Sequence, residues 1–463
     1  MRDGLGRILR RHWPELALGA GYVAANLSLS LTGRPHVAIF NDSATYLVPS
    51  FTGSSGRLWF VPVLYWLAGS DGARVVLQTV VGTCCWLALA AVLARMLTAR
   101  ALRRAGVGIV LLVGLSPEVV QWNRAILSES LAISVSVALL AASIWLLARR
   151  SWCALAVWLT LVLAWAFSRQ VQALIVVVLA FPLLVMAVRR PAVRKKYLVG
   201  AAAVVAIASW GVVASLQASS ITRFNAIAIV RYRVETHPGE LQYLEARGLP
   251  MVAPLRAPIP FGPAGLPVNV TEHANPTDMT HLLASPQLVD WIDQRWDGVY
   301  ARYLVTHPAT ALGPPIANAP ALMTVDPGYV QGKELPVWLL DVTYGASPAY
   351  LLVLFGLAVI VAVAAGARGR ASATLWLLGA ALAFDYLWCA AVWNLSASEL
   401  PRLYDPQAVV AHVLLDALLL AGVDSWWRGS RVRHRRGRHR EDEECKPTEG
   451  TQSLVPVGVP SDR

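Results

Sequence analysis

The chain has 463 residues, of which 56% are hydrophobic and 15% are charged. Soluble proteins carry about 25% charged residues, and the mean hydropathy of +0.51 excludes a disordered chain, a coiled coil and an ordinary cytosolic enzyme. The net charge of +12 does not indicate nucleic-acid binding, because the basic residues form short clusters between apolar segments.

Apolar runs of about 20 residues are typical of membrane-spanning helices. We predict an all-α polytopic membrane protein with about ten such helices, at 13–32, 72–94, 106–121, 128–148, 152–168, 171–188, 198–217, 346–366, 372–393 and 405–424. The shorter apolar segment 58–69 is interpreted as a re-entrant or interfacial helix. The predicted organisation has four parts: an N-terminal membrane module (1–217) with a first outside loop (33–71), an extracytoplasmic loop or cap (218–345), C-terminal membrane helices (346–425) and a tail (426–463).

Clusters of Arg and Lys precede the first predicted helix and follow every second one. The positive-inside rule places such clusters in the cytoplasm, so both termini are predicted to be cytoplasmic and the protein to lie in the plasma membrane. The stretch 429–463 is charged, then rich in Pro, Gly and Ser, without an apolar period, and is predicted to be disordered.

The region 218–345 contains 11 acidic residues against eight Arg and Lys, unlike the inside loops. Within it, 285–306 has apolar residues at helical spacing, and Ser285 could cap this helix. Its aromatic residues suit a helix lying along the membrane face: Trp291, Trp296, Tyr300 and Tyr303.

The first outside loop contains one candidate site, Asn41-Asp42-Ser43 followed by Tyr46. An isolated carboxylate in an aromatic and apolar loop acquires a raised pKa or a cationic partner. Near a membrane surface it can also accept a proton from a hydroxyl group. Asp42 is therefore a candidate catalytic base, with Tyr46 as a substrate contact. An ordinary turn aspartate that caps the next segment explains Asp42 equally well.

The turn between the third and fourth predicted helices contains three ionisable residues, Glu118, Arg124 and Glu129. Ionisable groups at membrane depth are costly and usually functional. A structural interpretation has Glu129 complementing the dipole of the following helix, with Arg124 as its ion-pair partner, but it does not explain all three residues. Glu118 and Glu129 are catalytic candidates, and Arg124 is a candidate substrate-binding residue.

Two further predicted outside positions carry charge. Arg169 lies between the fifth and sixth helices, and Glu399 and Arg402 precede the last one. A guanidinium group suits bidentate phosphate binding, so these residues are predicted to contact substrate. The structural alternatives are snorkelling of Arg169 toward lipid headgroups and a weak surface ion pair near the last helix.

Four short stretches resemble the GT-C superfamily, polytopic glycosyltransferases that use polyprenyl-phosphate sugars. The two stronger stretches are Asp42-Ser43-Ala44-Thr45-Tyr46 and Arg124-Ala125-Ile126-Leu127-Ser128-Glu129, and the two weaker ones are Tyr303-Leu304-Val305-Thr306-His307-Pro308 and Glu399-Leu400-Pro401-Arg402. The architecture resembles this superfamily over most of 1–425. The bias toward Arg, Ala, Val, Leu and Gly favours a bacterial branch from a GC-rich genome, such as that of an actinobacterium.

The resemblance implies transfer of a sugar from a polyprenyl-phosphate donor to an extracytoplasmic glycan, lipid or protein acceptor, with inversion. The catalytic acidic residue of the family would correspond to Asp42, and its second acidic position to Glu118 or Glu129. Arg169, Arg124 or Arg402 would stabilise the leaving phosphate. No adjacent acidic pair occurs in either outside turn, so the need for a divalent metal stays open, no metal ligand is assigned, and no other cofactor is indicated.

Two other functions fit the sequence. A lipid or solute transporter would use Asp385 and Asp416, which lie within predicted membrane helices. A non-catalytic protein would bind a lipid carrier and assemble a cell-envelope complex.

Overall fold

The computed structural model describes residues 2–31, 37–40, 42–52, 54, 56–217, 219–261, 267, 275–318, 348–367, 373–396 and 400–444. These residues form helices and isolated β-bridges, without a strand. The α-helices are α1 (Arg2–Leu31), α2 (Phe60–Ala68), α3 (Asp71–Met96), α4 (Arg100–Val113), α5 (Pro117–Val120), α6 (Glu129–Arg149), α7 (Trp152–Ala166), α8 (Gln170–Ile175), α9 (Ala180–Arg189), α10 (Arg194–Gln217), α11 (Ser219–Tyr232), α12 (Pro238–Glu245), α13 (Pro276–Leu283), α14 (Pro286–Thr306), α15 (Pro308–Ala317), α16 (Pro348–Ala367), α17 (Ala373–Leu395) and α18 (Leu400–Glu444).

Six helical segments among the described residues are long and apolar enough to cross a membrane, or seven if a bent pair counts as one span. The chain is therefore a multi-pass membrane protein. Each of the ten predicted segments overlaps a helix or a broken helix. Three of them fall short of a full apolar span: 13–32 lies in α1, which is not among these candidates, and those at Trp152–Ala166 and Val353–Ala365 are shorter apolar helices. The number of ten crossings stays a prediction.

The segment 113–142 forms the centre of the helix bundle, and all of its side chains are buried. The chain bends by 52° between α4 and the helical stretch that begins at Pro117. Proline lacks the N–H that continues a helix and suits a first helical position. The turn predicted to lie outside, with Glu118 and Glu129, is thus enclosed by protein.

Helix α18 packs against α4, α6, α16 and α17. Asp424 on α18 accepts hydrogen bonds from the backbone N–H groups of Thr98 (3.2 Å) and Ala99 (3.1 Å), which caps the start of α4. The helix continues to Glu444, into the segment predicted to be disordered, and that prediction stays untested. Arg and Glu have high helix propensity, which favours this extension. Residues 445–463 lie outside the described residues.

Helices α11 to α15 form the described part of the predicted cap, and α14 (Pro286–Thr306) matches the predicted helix. Ser285 stands at the N-cap position, but its side chain makes no capping hydrogen bond. The four aromatic residues predicted to face the membrane are instead only 4–7% exposed. The rings of Trp296 and Tyr300 stack with centroids 4.3 Å apart. They pack in the core of the cap, because burial removes their large apolar area from water.

Candidate functional site

The first predicted outside loop is held to the centre of the bundle by backbone hydrogen bonds. The N–H of Ala38 donates to the carbonyl of Arg124 (3.0 Å), and the N–H of Ile126 donates to the carbonyl of Ala38 (3.1 Å). A 3₁₀ turn at Ser43–Tyr46 then begins directly after Asp42. These contacts bring Asp42 close to the start of α6.

Asp42 belongs to a group of five ion-paired side chains, which we call the arginine–carboxylate cluster. Its Oδ2 lies 3.0 Å from Nη2 of Arg57 and 3.0 Å from Nη2 of Arg402. Arg402 also faces Glu129, with its Nε 3.2 Å from Oε1. Arg169 Nη2 lies 2.6 Å from the same Glu129 oxygen. The structure therefore joins four residues predicted from sequence, Asp42, Glu129, Arg169 and Arg402, in one continuous network.

The cluster is buried at one end and open at the other. The side chain of Glu129 is fully buried, and those of Arg402 and Arg169 are 5% and 10% exposed, whereas that of Asp42 is 37% exposed. Three guanidinium groups face two carboxylates, so the ion-paired groups carry one excess positive charge. Asp42 is consequently the carboxylate that a molecule arriving from solvent would meet.

Neighbouring polar groups fix the arginine side chains. Arg169 donates from Nε to the Ser128 hydroxyl and from Nη1 to the Leu403 carbonyl, both at 3.1 Å. The Tyr46 hydroxyl lies 3.2 Å from the same Ser128 oxygen, and the guanidinium carbon of Arg57 lies 4.5 Å from the centre of the Tyr46 ring. Tyr46 thus supports both ends of the cluster.

The two arginines determine the protonation state of Asp42. Burial raises the pKa of this carboxyl, but the positive charges and hydrogen bonds of Arg57 and Arg402 outweigh burial, so the pKa lies below its usual range. Asp42 is therefore an ionised and weakly basic carboxylate while both arginines hold it.

The three remaining predicted site residues are not among the five members of the cluster. Arg124 donates to the backbone carbonyl of Leu29, so the alternative in which it pairs with Glu129 is wrong: the carboxylate takes Arg169 and Arg402 instead. Glu118 is buried in α5, outside the five ion-paired residues. Glu399 lies outside the described residues.

Sequence reasoning missed two residues at this site. Arg57 stands in a predicted outside loop, against the positive-inside trend, which is the argument that singled out Arg169. Asp405, three residues after Arg402, is fully buried and accepts a hydrogen bond from the indole N–H of Trp122. It lies within electrostatic range of Glu118 and Glu129, but nothing in its sequence pattern distinguishes it from a helix-start aspartate.

An aromatic group lies next to the cluster. Trp59 packs against Phe167, two residues before Arg169, and stacks on Trp210 with centroids 6.0 Å apart. Phe51 also packs against Trp59, with ring centroids 5.7 Å apart. Phe51 is 58% exposed and Trp210 is 41% exposed. The described part of the chain holds no group of three or more His, Cys, Asp or Glu side chains arranged to bind a metal ion.

No protein-family model and no curated protein sequence matches the chain. Among solved structures, it is similar to an oligosaccharyltransferase, AglB of Archaeoglobus fulgidus, in complex with an inhibitory peptide and a dolichol-phosphate. The identity is 12% and the TM-score 0.42, over 96% of this chain and 53% of that one. A second structure of an A. fulgidus oligosaccharyltransferase, tethered to an acceptor peptide, gives 12% identity and a TM-score of 0.41 over 88% and 49%. The chain spans about half the length of these proteins, and a likeness of this size does not establish a shared family.

Proposed function

We propose that the chain is a membrane glycosyltransferase of the GT-C kind, which moves a sugar from a polyprenyl-phosphate donor to an acceptor hydroxyl outside the plasma membrane, with both termini cytoplasmic. The observation that carries this proposal is the arginine–carboxylate cluster, in which a half-exposed carboxylate adjoins an excess positive charge. A leaving phosphate needs the positive charge, and an attacking hydroxyl needs the carboxylate.

In the proposed reaction, the bond between the anomeric carbon and the phosphate oxygen breaks, and the phosphate leaves with the electron pair. The acceptor oxygen forms the new bond from the opposite face, which inverts the anomeric centre. Its proton passes to Asp42. Arg57 and Arg402 stabilise the negative charge that grows on the phosphate, while Glu129 and Arg169 hold Arg402 in place.

The ion pairs of Asp42 indicate how donor and base cooperate. A donor phosphate competes with Asp42 for Arg57 and Arg402, since guanidinium groups bind both anions in the same manner. Once the arginines turn toward the phosphate, Asp42 loses the charges that weaken it as a base. Donor binding therefore prepares Asp42 to accept the proton of the hydroxyl group.

The aromatic group of Phe51, Trp59, Phe167 and Trp210 suits the prenyl chain of such a donor. Its rings extend from the residues before Arg169 to the exposed side chain of Phe51. An apolar chain lying on them would present its phosphate to the cluster. One of these rings, Trp59, belongs to the apolar segment 58–69 that the sequence predicts to be re-entrant or interfacial.

The test is a turnover assay of the protein in lipid discs, with a panel of polyprenyl-phosphate sugars and a membrane extract as the source of acceptor. Release of polyprenyl phosphate is measured for the wild type and for Asp42→Asn. General-base catalysis contributes about 10²–10⁴-fold, and we expect a loss in that range. Asp293→Asn is the matched control, because Asp293 also pairs with an arginine but lies in the cap, and it should retain the wild-type rate.

Equal turnover in Asp42→Asn and the wild type would remove Asp42 from the reaction. Tight binding of polyprenyl phosphate without any turnover would favour the non-catalytic alternative. Uptake of a solute that Asp385→Asn abolishes would favour the transporter, since Asp385 is buried within α17.

A further inference from the structure

The cap contains an open groove of about 450 Å³ lined by Arg247, Arg295, Gly298, Val299 and Arg302. Three of these five residues are arginines, and the lining includes no acidic side chain. None of the three arginines forms an ion pair with a described residue. Like charges around one concave surface repel each other and raise the local concentration of anions.

The structure holds two of the arginines in defined positions. The Arg247 guanidinium lies over the Tyr243 ring, 3.4 Å from its centre, and Nη1 donates to the Tyr243 carbonyl at 3.0 Å. The Arg247 carbonyl in turn accepts hydrogen bonds from Trp291 Nε1 (3.3 Å) and Arg295 Nη1 (3.4 Å). The groove is therefore bounded by positioned side chains.

Two glycines lie at or beside the groove. Gly248, next to Arg247, has a φ of +89°, a left-handed turn that glycine adopts without steric cost. Gly298 lies on the groove wall with nothing within 4 Å of where its Cβ would be. Arg295 and Arg302 lie two turns apart on the same face of α14, on either side of Gly298.

We propose that this groove is a second anion-binding site, separate from the arginine–carboxylate cluster, which binds a phosphate-bearing ligand. Guanidinium groups match the geometry of phosphate oxygens, and three of them around this volume suit a diphosphate or the phosphate of a lipid headgroup. The site does not depend on the proposed function, because its residues belong to the cap and do not overlap the cluster.

Calorimetry on the whole protein in discs of neutral lipid tests this site. Inorganic pyrophosphate probes a free phosphate ligand, and short-chain phosphatidylglycerol probes a lipid headgroup. Arg302→Gln removes one groove charge, and Gly298→Leu fills the groove without changing charge. Arg256→Gln is the matched control, since Arg256 is exposed in the cap but does not line the groove. Arg402→Gln separates binding at the cluster from binding in the groove.

We expect saturable binding of at least one probe. It should weaken about tenfold or more in Arg302→Gln, because a charge-assisted contact is lost, and in Gly298→Leu, because the new side chain occupies the groove. Arg256→Gln and Arg402→Gln should retain this binding. The probe that binds identifies the source of the phosphate. Binding of neither probe, or equal losses in Arg302→Gln and Arg256→Gln, would overturn the proposal. So would binding that only Arg402→Gln weakens.

Discussion

Neutralising Glu129 tests whether burial gives the cluster its strength. The Glu129–Arg169 pair and the Asp293–Arg223 pair have the same N–O distance, 2.6 Å. The side chains of the first pair are 0% and 10% exposed, whereas those of the second are 41% and 35% exposed. Glu129→Gln and Asp293→Asn therefore compare the same interaction in a buried and in an exposed setting.

The expected magnitudes follow from these settings. Two unit charges about 4 Å apart attract by about 4 kcal/mol at an effective dielectric constant of about 20. Removing one partner of a buried pair costs about 3–5 kcal/mol, because the remaining charge stays buried. Exposed pairs contribute about 0.2–1 kcal/mol. Glu129→Gln also leaves Arg169 and Arg402 without the carboxylate between them. Its cost in unfolding free energy should therefore lie within the range of about 3–5 kcal/mol for buried pairs.

Thermal unfolding in one detergent, followed by tryptophan fluorescence, measures the difference. The midpoint should fall by at least about 4 °C in Glu129→Gln and by less than about 2 °C in Asp293→Asn. The double variant Glu129→Gln/Arg169→Gln should recover part of the loss, because it also removes the orphaned charge. Equal shifts in the two single variants, or no recovery in the double variant, would refute this reasoning.

Two further predictions concern pH and packing. The pKa of Asp42 is lowered in the folded protein. Its carboxylate therefore stays charged at any pH above the ordinary aspartate pKa of about 3.9. Its contribution to stability is fully present above that pH and is lost as the pH falls through the lowered folded-state pKa. Arg57→Gln removes one cause of that shift, so the acid limb of the kcat/KM profile should move to higher pH; an unmoved limb would contradict this. A Cβ at Gly211 would lie 2.8 Å from the Cβ of Ala173, so Gly211→Ala should lower the midpoint through a cost of about 1–3 kcal/mol. Gly298→Ala, in open space, should instead stabilise α14 by up to about 1 kcal/mol. A lower unfolding midpoint for Gly298→Ala than for Gly211→Ala would show that close packing at Gly211 does not determine the effect of an added methyl group.

The helices could be predicted because apolar length is a local property of the sequence. Each predicted span overlaps a helix, and α14 begins one residue after Ser285. The break of α4 before Pro117 and the extension of α18 to Glu444 differ from the predicted helix boundaries. The break falls just before Pro117, a local signal that apolar length alone does not weigh. The extension reflects helix propensity in a polar segment.

The sequence predicts which residues belong to the site, but not which of them form ion pairs with each other. Asp42, Glu129, Arg169 and Arg402 stand out as charges beside apolar segments, and all four belong to the cluster. Their partners depend on contacts between residues up to 360 positions apart. Arg57 shares the outside placement that singled out Arg169, but only the fold shows that it meets Asp42.

Protein synthesis delivers the five residues of the cluster in a fixed order: Asp42 and Arg57 first, then Glu129 and Arg169, and Arg402 last. Each carboxylate can meet an arginine before α18 leaves the ribosome, because folding proceeds from the N-terminus during translation. Each of the first two pairs is therefore neutral as soon as its arginine has been added. Insertion of α18 adds the third guanidinium group, that of Arg402, so the excess positive charge arises only once α18 has been inserted.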